Sequence, residues 1–356
     1  MNNLKKLGLT ALAGSLVAVS AQAGELSVSG SAAMAYAQAS GNQGSGIGTN
    51  KAFSLAGSGE LDNGWTFALS TTLADGMTLS SSTTALTMGS LGTITLGEGH
   101  GGNSGGYDEE VPQAYEQVSD AGPATAANYV GSWLGNGAIG WALPSMDTGA
   151  GSLSVVIGYS PDADNLAAVS DGTKANHGST YGSGMDLGVK LVTDMGLTLG
   201  AYGAERENIL HVASGADATR DEFNGTWFAT YAAGPVSIGY QRSHVDSGLV
   251  VAAEATTAAK VPGTAGGVFD DVQMSILFNV NDNLSVSYTD STSTYDAQDN
   301  ASTAVADVDA DLDALQIAYS MGGMSVNAYM MSASNPGWDS DAKDVDTTEV
   351  AIGLAF

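Results

Sequence analysis

The chain has 356 residues, with 38 Asp and Glu against 10 Lys and Arg, 48 glycines and no cysteine. A formal charge of −28 excludes a nucleic-acid-binding surface, which needs a basic face to meet phosphate; the missing cysteines exclude a disulfide scaffold and any thiolate metal site. Glycine at this density weakens helices throughout, while short alternating apolar runs recur, so the composition points to an all-β chain.

Met1 to Ala23 places Lys5 and Lys6 before an apolar stretch from Leu7 to about Val19 and ends on Ala21-Gln22-Ala23, the pattern of a secretory leader cut before Gly24. That run is too short for a transmembrane anchor, and no later segment approaches the roughly 18 apolar residues of a spanning helix. The remainder, 24–356, reads as one domain of paired strands. Alternation begins in ELSVSGSAAMAYAQA, where Leu26, Val28, Met34 and Tyr36 share a parity. Tight-turn signals then recur at Asp62-Asn63-Gly64, Gly89 to Gly92, Asp194 to Gly196, Gly234-Pro235, Asn281 to Asn283 and Gly322-Gly323, with one longer turn between Trp141 and Val155. Seven hairpins plus a first and a last strand predict about 16 strands.

The segments joining the hairpins, 40–50, 97–136, 161–180, 206–221, 244–267, 296–308 and 332–346, are longer and rich in Gly, Ser, Asp and Ala. Short turns at one end and long polar loops at the other are the layout of a transmembrane antiparallel β-barrel. A soluble sandwich or solenoid gives no reason for that asymmetry, and no fixed-period repeat is present. Open sheet edges cannot sit in hydrocarbon, so the last strand must pair with the first. On that last strand Val350, Ile352, Leu354 and Phe356 form the apolar, lipid-facing stripe, and Glu349, Ala351, Gly353 and Ala355 the opposite face.

The start GELSVSGSAAMAYA, the phrase GTITLGEG ahead of the longest loop, and the terminal VAIGLAF behind a leader resemble Gram-negative outer-membrane porins, specifically the general-diffusion type of alphaproteobacteria. The resemblance spans essentially all of 24–356. It implies passive diffusion of small hydrophilic solutes, a homotrimer in the bacterial outer membrane, and contact with outer-membrane lipid and lipopolysaccharide. It also implies a third external loop folded into the barrel to narrow it, and a terminal strand read by the outer-membrane assembly machinery.

That loop, 97–136, is the candidate constriction, and its acids are Glu98, Asp108, Glu109, Glu110, Glu116 and Asp120, with no Lys or Arg between Lys51 and Lys174. Carboxylates crowded in a water-filled passage with low-dielectric walls enrich cations and repel anions; the competing reading is a solvated surface loop. The resembled family opposes such acids with a basic wall cluster, and this chain departs from it: strands two to six carry no arginine, and Lys51 shares the parity of Phe53 and Leu55. Lys190 and Arg206 take lumen parity, with Asp186 and Tyr202, while Arg242 takes the outward one.

Asp307, Asp309, Asp311 and Asp313 alternate, which in an extended segment puts four carboxylates on one face, a candidate for divalent cations such as calcium bridging lipopolysaccharide; Leu312 and Ala318 break an EF-hand pattern. Gly102 to Gly106 fits G-x-S-x-G without the helix a nucleophile elbow needs, and His100, His177, His211 and His244 are scattered, so neither an enzyme nor a cofactor is expected. Trp65, Tyr129, Trp133, Trp141, Tyr159, Tyr240, Tyr288, Tyr319 and Tyr329 fall near strand ends, as interface girdles do. A substrate-selective channel and a plugged, adhesive surface barrel with cation-binding loops stand as alternatives.

Overall fold

The computed structural model describes residues 25–40, 44–98, 103–120, 130, 134, 137–163, 181–209, 221–246, 248, 268–296 and 307–356. The predicted leader, 1–23, lies outside them, as do His100, His177, His211, Tyr129 and Trp133. The strands are β1 (Glu25–Ala39), β2 (Gly44–Glu60), β3 (Thr66–Ala74), β4 (Thr78–Thr87), β5 (Thr93–Glu98), β6 (Ile139–Ala142), β7 (Met146–Asp147), β8 (Gly151–Ser160) and β9 (Tyr181–Thr193). They continue with β10 (Leu197–Asn208), β11 (Glu222–Ala233), β12 (Val236–Asp246), β13 (Val268–Asn281), β14 (Leu284–Asp296), β15 (Val308–Met321), β16 (Met324–Ser334) and β17 (Val345–Ala355).

Neighbours pair antiparallel all the way round, and β1 pairs with β17 from Ser31 opposite Ala355 to Ala39 opposite Thr347, so the sheet closes. β6 and β7 both lie against β8 and make one interrupted stave, giving a barrel of 16 strands. The break falls at Leu143-Pro144-Ser145, where Pro144 has no N–H to give the ladder. The six predicted tight turns and the one longer turn all form. At one of them Gly196 has φ +88, and a Cβ there would strike the Ala232 carbonyl. The predicted connection 40–50 is mostly strand instead: β2 starts at Gly44, because β1 extends far enough to pair with Gly44-Ser45-Gly46 and overrides their loop-like composition.

Met34, Tyr36, Leu199, Ile276, Phe278, Leu315, Ile352 and Leu354 project outward, each 40–53 % exposed. Such an apolar belt belongs in hydrocarbon, and a closed ladder leaves no strand edge unpaired there. Val350, Ile352, Leu354 and Phe356 all take the outward face, as their parity predicts. Phe356 exchanges backbone hydrogen bonds with Gly30 at 2.8 and 3.0 Å. Its ring lies over Gly30, where a Cβ would come within 2.6 Å of it, and meets Phe53 edge-on at 6.3 Å. Trp141, Tyr159, Tyr288 and Tyr319 face outward as girdle residues do. Tyr329 does not: with Asn327 and Met331 it takes the inward parity of β16 and is 4 % exposed.

Candidate functional site: a loop strapped inside the barrel

Residues 103–120, between β5 and β6, run along the inner wall from β9 to β17, and strand after strand contributes a side chain that holds them. Asp186 on β9 accepts from the Asn103 backbone N–H (2.6 Å), the Asn103 amide (2.7 Å) and the Tyr202 hydroxyl of β10 (3.1 Å). Lys190 donates to the Gly106 carbonyl (2.8 Å) and pairs with Glu110 (3.0 Å), its ammonium 5.1 and 5.2 Å from the Tyr107 and Phe228 ring centres. Tyr107 stacks on Tyr202 at 5.3 Å.

From β12 to β15 the holding groups are neutral, and β17 adds the carboxylate of Glu349. Gln241 donates to the Tyr107 carbonyl (2.9 Å) and the Asp108 carbonyl, and accepts from the Glu110 N–H (2.6 Å). On β13, Gln273 donates to Glu109 Oε2 (2.6 Å) and Ser275 to the Pro112 carbonyl (2.6 Å). Ser287 of β14 accepts from the Ala114 N–H at 2.8 Å. Gln316 of β15 accepts from the Tyr115 N–H (2.8 Å) and donates to the Glu116 carbonyl (2.7 Å). The Tyr115 hydroxyl donates to Glu349 of β17 at 3.0 Å, and Val118 is buried among Leu312, Ala314, Tyr329, Met331, Ala333 and Val345.

The wall is shaped to take the loop. A Cβ on Gly188 would come within 2.5 Å of the Tyr107 ring, and one on Gly239 would collide with Pro112 and lie 3.0 Å from Val111 Cα. The Tyr107 ring over Gly188 and the Val111-Pro112 segment over Gly239 approach the wall backbone closely enough that these two inward positions need glycine.

The six predicted constriction acids separate by environment. Glu98 is outside the strap: it ends β5 opposite Ser82, because the β4–β5 ladder runs two residues past the predicted loop start. Glu109 is buried at 6 % exposure, its Oε1 against the Ser119 hydroxyl, and burial, with Asp108 and Asp120 adding to it, pushes its pKa up to about 8. At neutral pH it is mostly protonated and adds little charge. Glu110 is neutralised by Lys190. Asp108, half-buried, is raised to about 6 by burial and stays largely ionised at neutral pH; Glu116 is half-buried and Asp120 exposed. Three of the six therefore present charge to water.

The described inward positions of β1–β6 are Ser, Ala, Thr, Gly and Asn, with Glu60 at the turn end, and they include no Lys or Arg. Lys51 faces outward opposite Ala32. Of the predicted lumen cations, Lys190 and Arg206 both point inward, and both are engaged, Arg206 with Glu222 at 2.5 Å and stacked 3.5 Å from the Tyr181 ring centre. Asp309, Asp311 and Asp313 stand on the outer face of β15, bonded to Thr294, Thr292 and Tyr288, while Asp307 precedes the strand; no metal-sized cluster of acids and histidines occurs among the described residues. Ser104 is buried in a short turn, and His244 faces outward against Asp270 at 3.0 Å.

Neither a family model nor a curated protein matches the sequence. Solved structures match its shape. They include OmpT with loop L8 deleted, an outer membrane protein of Vibrio cholerae (TM-score 0.66, 13 % identity, 94 % of this chain and 100 % of that one). A refined porin (TM-score 0.63, 15 %, 93 % and 100 %) and Salmonella typhi OmpF in complex with daunomycin (TM-score 0.62, 13 %, 93 % and 97 %) also match. The chain has the fold of an outer-membrane porin. OmpT has also been solved in a trimer form (TM-score 0.60, 14 %, 94 % and 100 %). The glutamines that hold the loop in this porin fold, Gln241, Gln273 and Gln316, were not singled out from the sequence; the available signal was a long amide at inward parity on three of the last six strands.

Proposed function

We propose that the protein is a passive, cation-preferring diffusion channel of the bacterial outer membrane for small hydrophilic solutes, acting as a trimer and without a catalytic step. The observation that carries this is the acidic strap itself: Asp108, Glu116 and Asp120 are held inside the barrel, while the β1–β6 side carries small residues, Glu60 at its turn end and, among the described residues, no cation. Solutes pass between the strap and that side. In a passage bounded by protein the carboxylate field is focused, so cations accumulate and anions are repelled, and no facing basic ladder offsets it. The general-diffusion type and the trimer rest on the sequence resemblance and on the trimeric form of one structural neighbour.

Reversal potential in a planar bilayer under a salt gradient tests the reading. Neutralising Asp108, Glu116 and Asp120 together (D108N/E116Q/D120N) is expected to move it strongly toward zero, and E109Q/E110Q far less. Equal effects of the two sets, or no conductance at all, would overturn the filter as drawn. Divalent-cation binding at Asp309, Asp311 and Asp313 is a separate proposal: a chelator should lower the melting temperature of the parent and leave the D309N/D311N/D313N variant unmoved, and identical melting with and without chelator disposes of it.

A further inference from the structure

Of the two strap acids the filter does not use, Glu110 is paired with Lys190, and Glu109 is built into the wall. Both of its carboxyl oxygens meet neutral groups: Oε2 takes the Gln273 amide at 2.6 Å and Oε1 meets the Ser119 hydroxyl. The charged and titratable groups around this turn are acids, Asp108, Glu110 and Asp120 on the loop and Asp271, fully buried two residues along β13 from Gln273. The inward strands that flank β13 here present Gln241, Ser243, Ser287, Thr289 and Ser291, which carry no charge. The two inward-facing cations among the described residues are engaged elsewhere, Lys190 by Glu110 and Gly106, Arg206 by Glu222. The two donated bonds favour the carboxylate, but a carboxylate in that seat has no counterion among the described residues and several like charges around it, and its burial outweighs those bonds, so the neutral acid is the favoured occupant.

We propose that Glu109 is a positioning residue which holds residues 107–120 on the wall only while its carboxyl carries a proton, so that the strap loosens into the passage as the medium becomes alkaline. This rests on the reading of the strap as the constriction. The direction follows from linkage. An acid whose pKa is higher docked than free keeps its proton in the docked state, so docking is strongest below the free value, 4.5, weakens as pH rises, and levels off above about 8. Within that window the open fraction is expected to grow roughly tenfold per pH unit.

The chain has no cysteine, so a single A114C substitution reports opening: Ala114 is a fully buried residue of the strap, docked on the wall with its N–H on Ser287. The probe is a water-soluble maleimide on the full-length protein folded in detergent, with the labelling rate divided by that of E109Q/A114C at each pH to remove thiolate ionisation and the titration of Asp108. From about pH 6 to about pH 8 the ratio is expected to rise on the order of a hundredfold. A ratio that stays flat overturns the proposal. Should E109Q not fold, the same decision comes from A114C alone, its rate divided by that of the heat-unfolded protein: a pH-dependent quotient supports the lock, a constant one removes it. Labelling does not depend on conduction, so a pH-dependent ratio with conductance that stays unchanged over the same range would keep Glu109 as the lock and sink the constriction reading instead.

Discussion

Gln241 is the most heavily used of the wall groups that hold the strap, and replacing it tests whether the strap sets the passage. The side chain is 1 % exposed and serves three loop backbone groups, the Tyr107 and Asp108 carbonyls and the Glu110 N–H, besides Thr226 at 3.0 Å. Gln241→Leu keeps the volume and removes every polar contact. Each net hydrogen bond contributes about 1 kcal/mol, and each buried backbone group left without a partner costs about 1–3 kcal/mol, less where lumen water reaches it. A total near 3 kcal/mol follows, which at about 1.4 kcal/mol per decade shifts docking on the order of a hundredfold. The barrel should not notice: the Gln241 backbone stays in register between Phe228 and Gln273, and the outer face is untouched. Single-channel recordings of Q241L should show larger mean conductance, more open-channel noise and weaker cation preference, with the melting temperature in detergent nearly that of the parent. Parent-like conductance and selectivity in a folded Q241L would refute the claim that these bonds position the constriction.

Four further outcomes follow from the same geometry. Gly239→Val drives a side chain into Pro112 and Val111 and should reproduce the Q241L recordings without disturbing the ladder; a parent-like channel would mean the loop sits off the wall. Lys190→Met removes the partner of Glu110, so cation preference should rise at neutral pH even though the strap loosens; a fall in preference would show that Lys190 is not neutralising the filter. Cation preference should decline as pH falls through about 6, where Asp108 takes up its proton, and this step should vanish in D108N; the sign is that of an acid losing charge on acidification. Phe356→Ala takes the ring off Gly30 and Phe53 and should lower the melting temperature of the barrel while leaving conductance unchanged, since the ring is on the outer face.

Strand number, turn positions and facing were legible because each is a short-range property. Parity is set by the two-residue period of a strand, so the outward stripe Val350, Ile352, Leu354, Phe356 and the inward Lys190 and Arg206 could be read from neighbours alone. Two local readings failed where a partner strand decides. Gly44-Ser45-Gly46 has the composition of a loop but lies beside a β1 long enough to pair with it, and Glu98 looks like part of the loop but is claimed by the β4 ladder at Ser82. The state of the loop acids was out of reach for a different reason. Asp108, Glu109 and Glu110 are consecutive, and nothing in that run distinguishes a half-buried carboxylate from a protonated one on Gln273 or one paired with Lys190 from 80 positions away.

The two sides of the barrel divide the work along a line set by residue size. From β9 to β17 the inner wall offers amides, hydroxyls and, at Gly188 and Gly239, bare backbone, so an extended loop can lie flat against it and have its peptide groups satisfied by strand side chains in turn. From β1 to β6 the described inward positions are small and, apart from Glu60 at the turn end, uncharged, which leaves the rest of that side without side chains long enough to reach the loop. A porin that balanced its acids with arginines on the open side would concentrate a transverse field across the passage; in the filter proposed above the acidic side acts alone, and its strength depends on how many carboxylates remain ionised. Burial in the strap governs that number, since it holds the proton on Glu109, so in the proposed filter the contacts that fix the loop also set its charge.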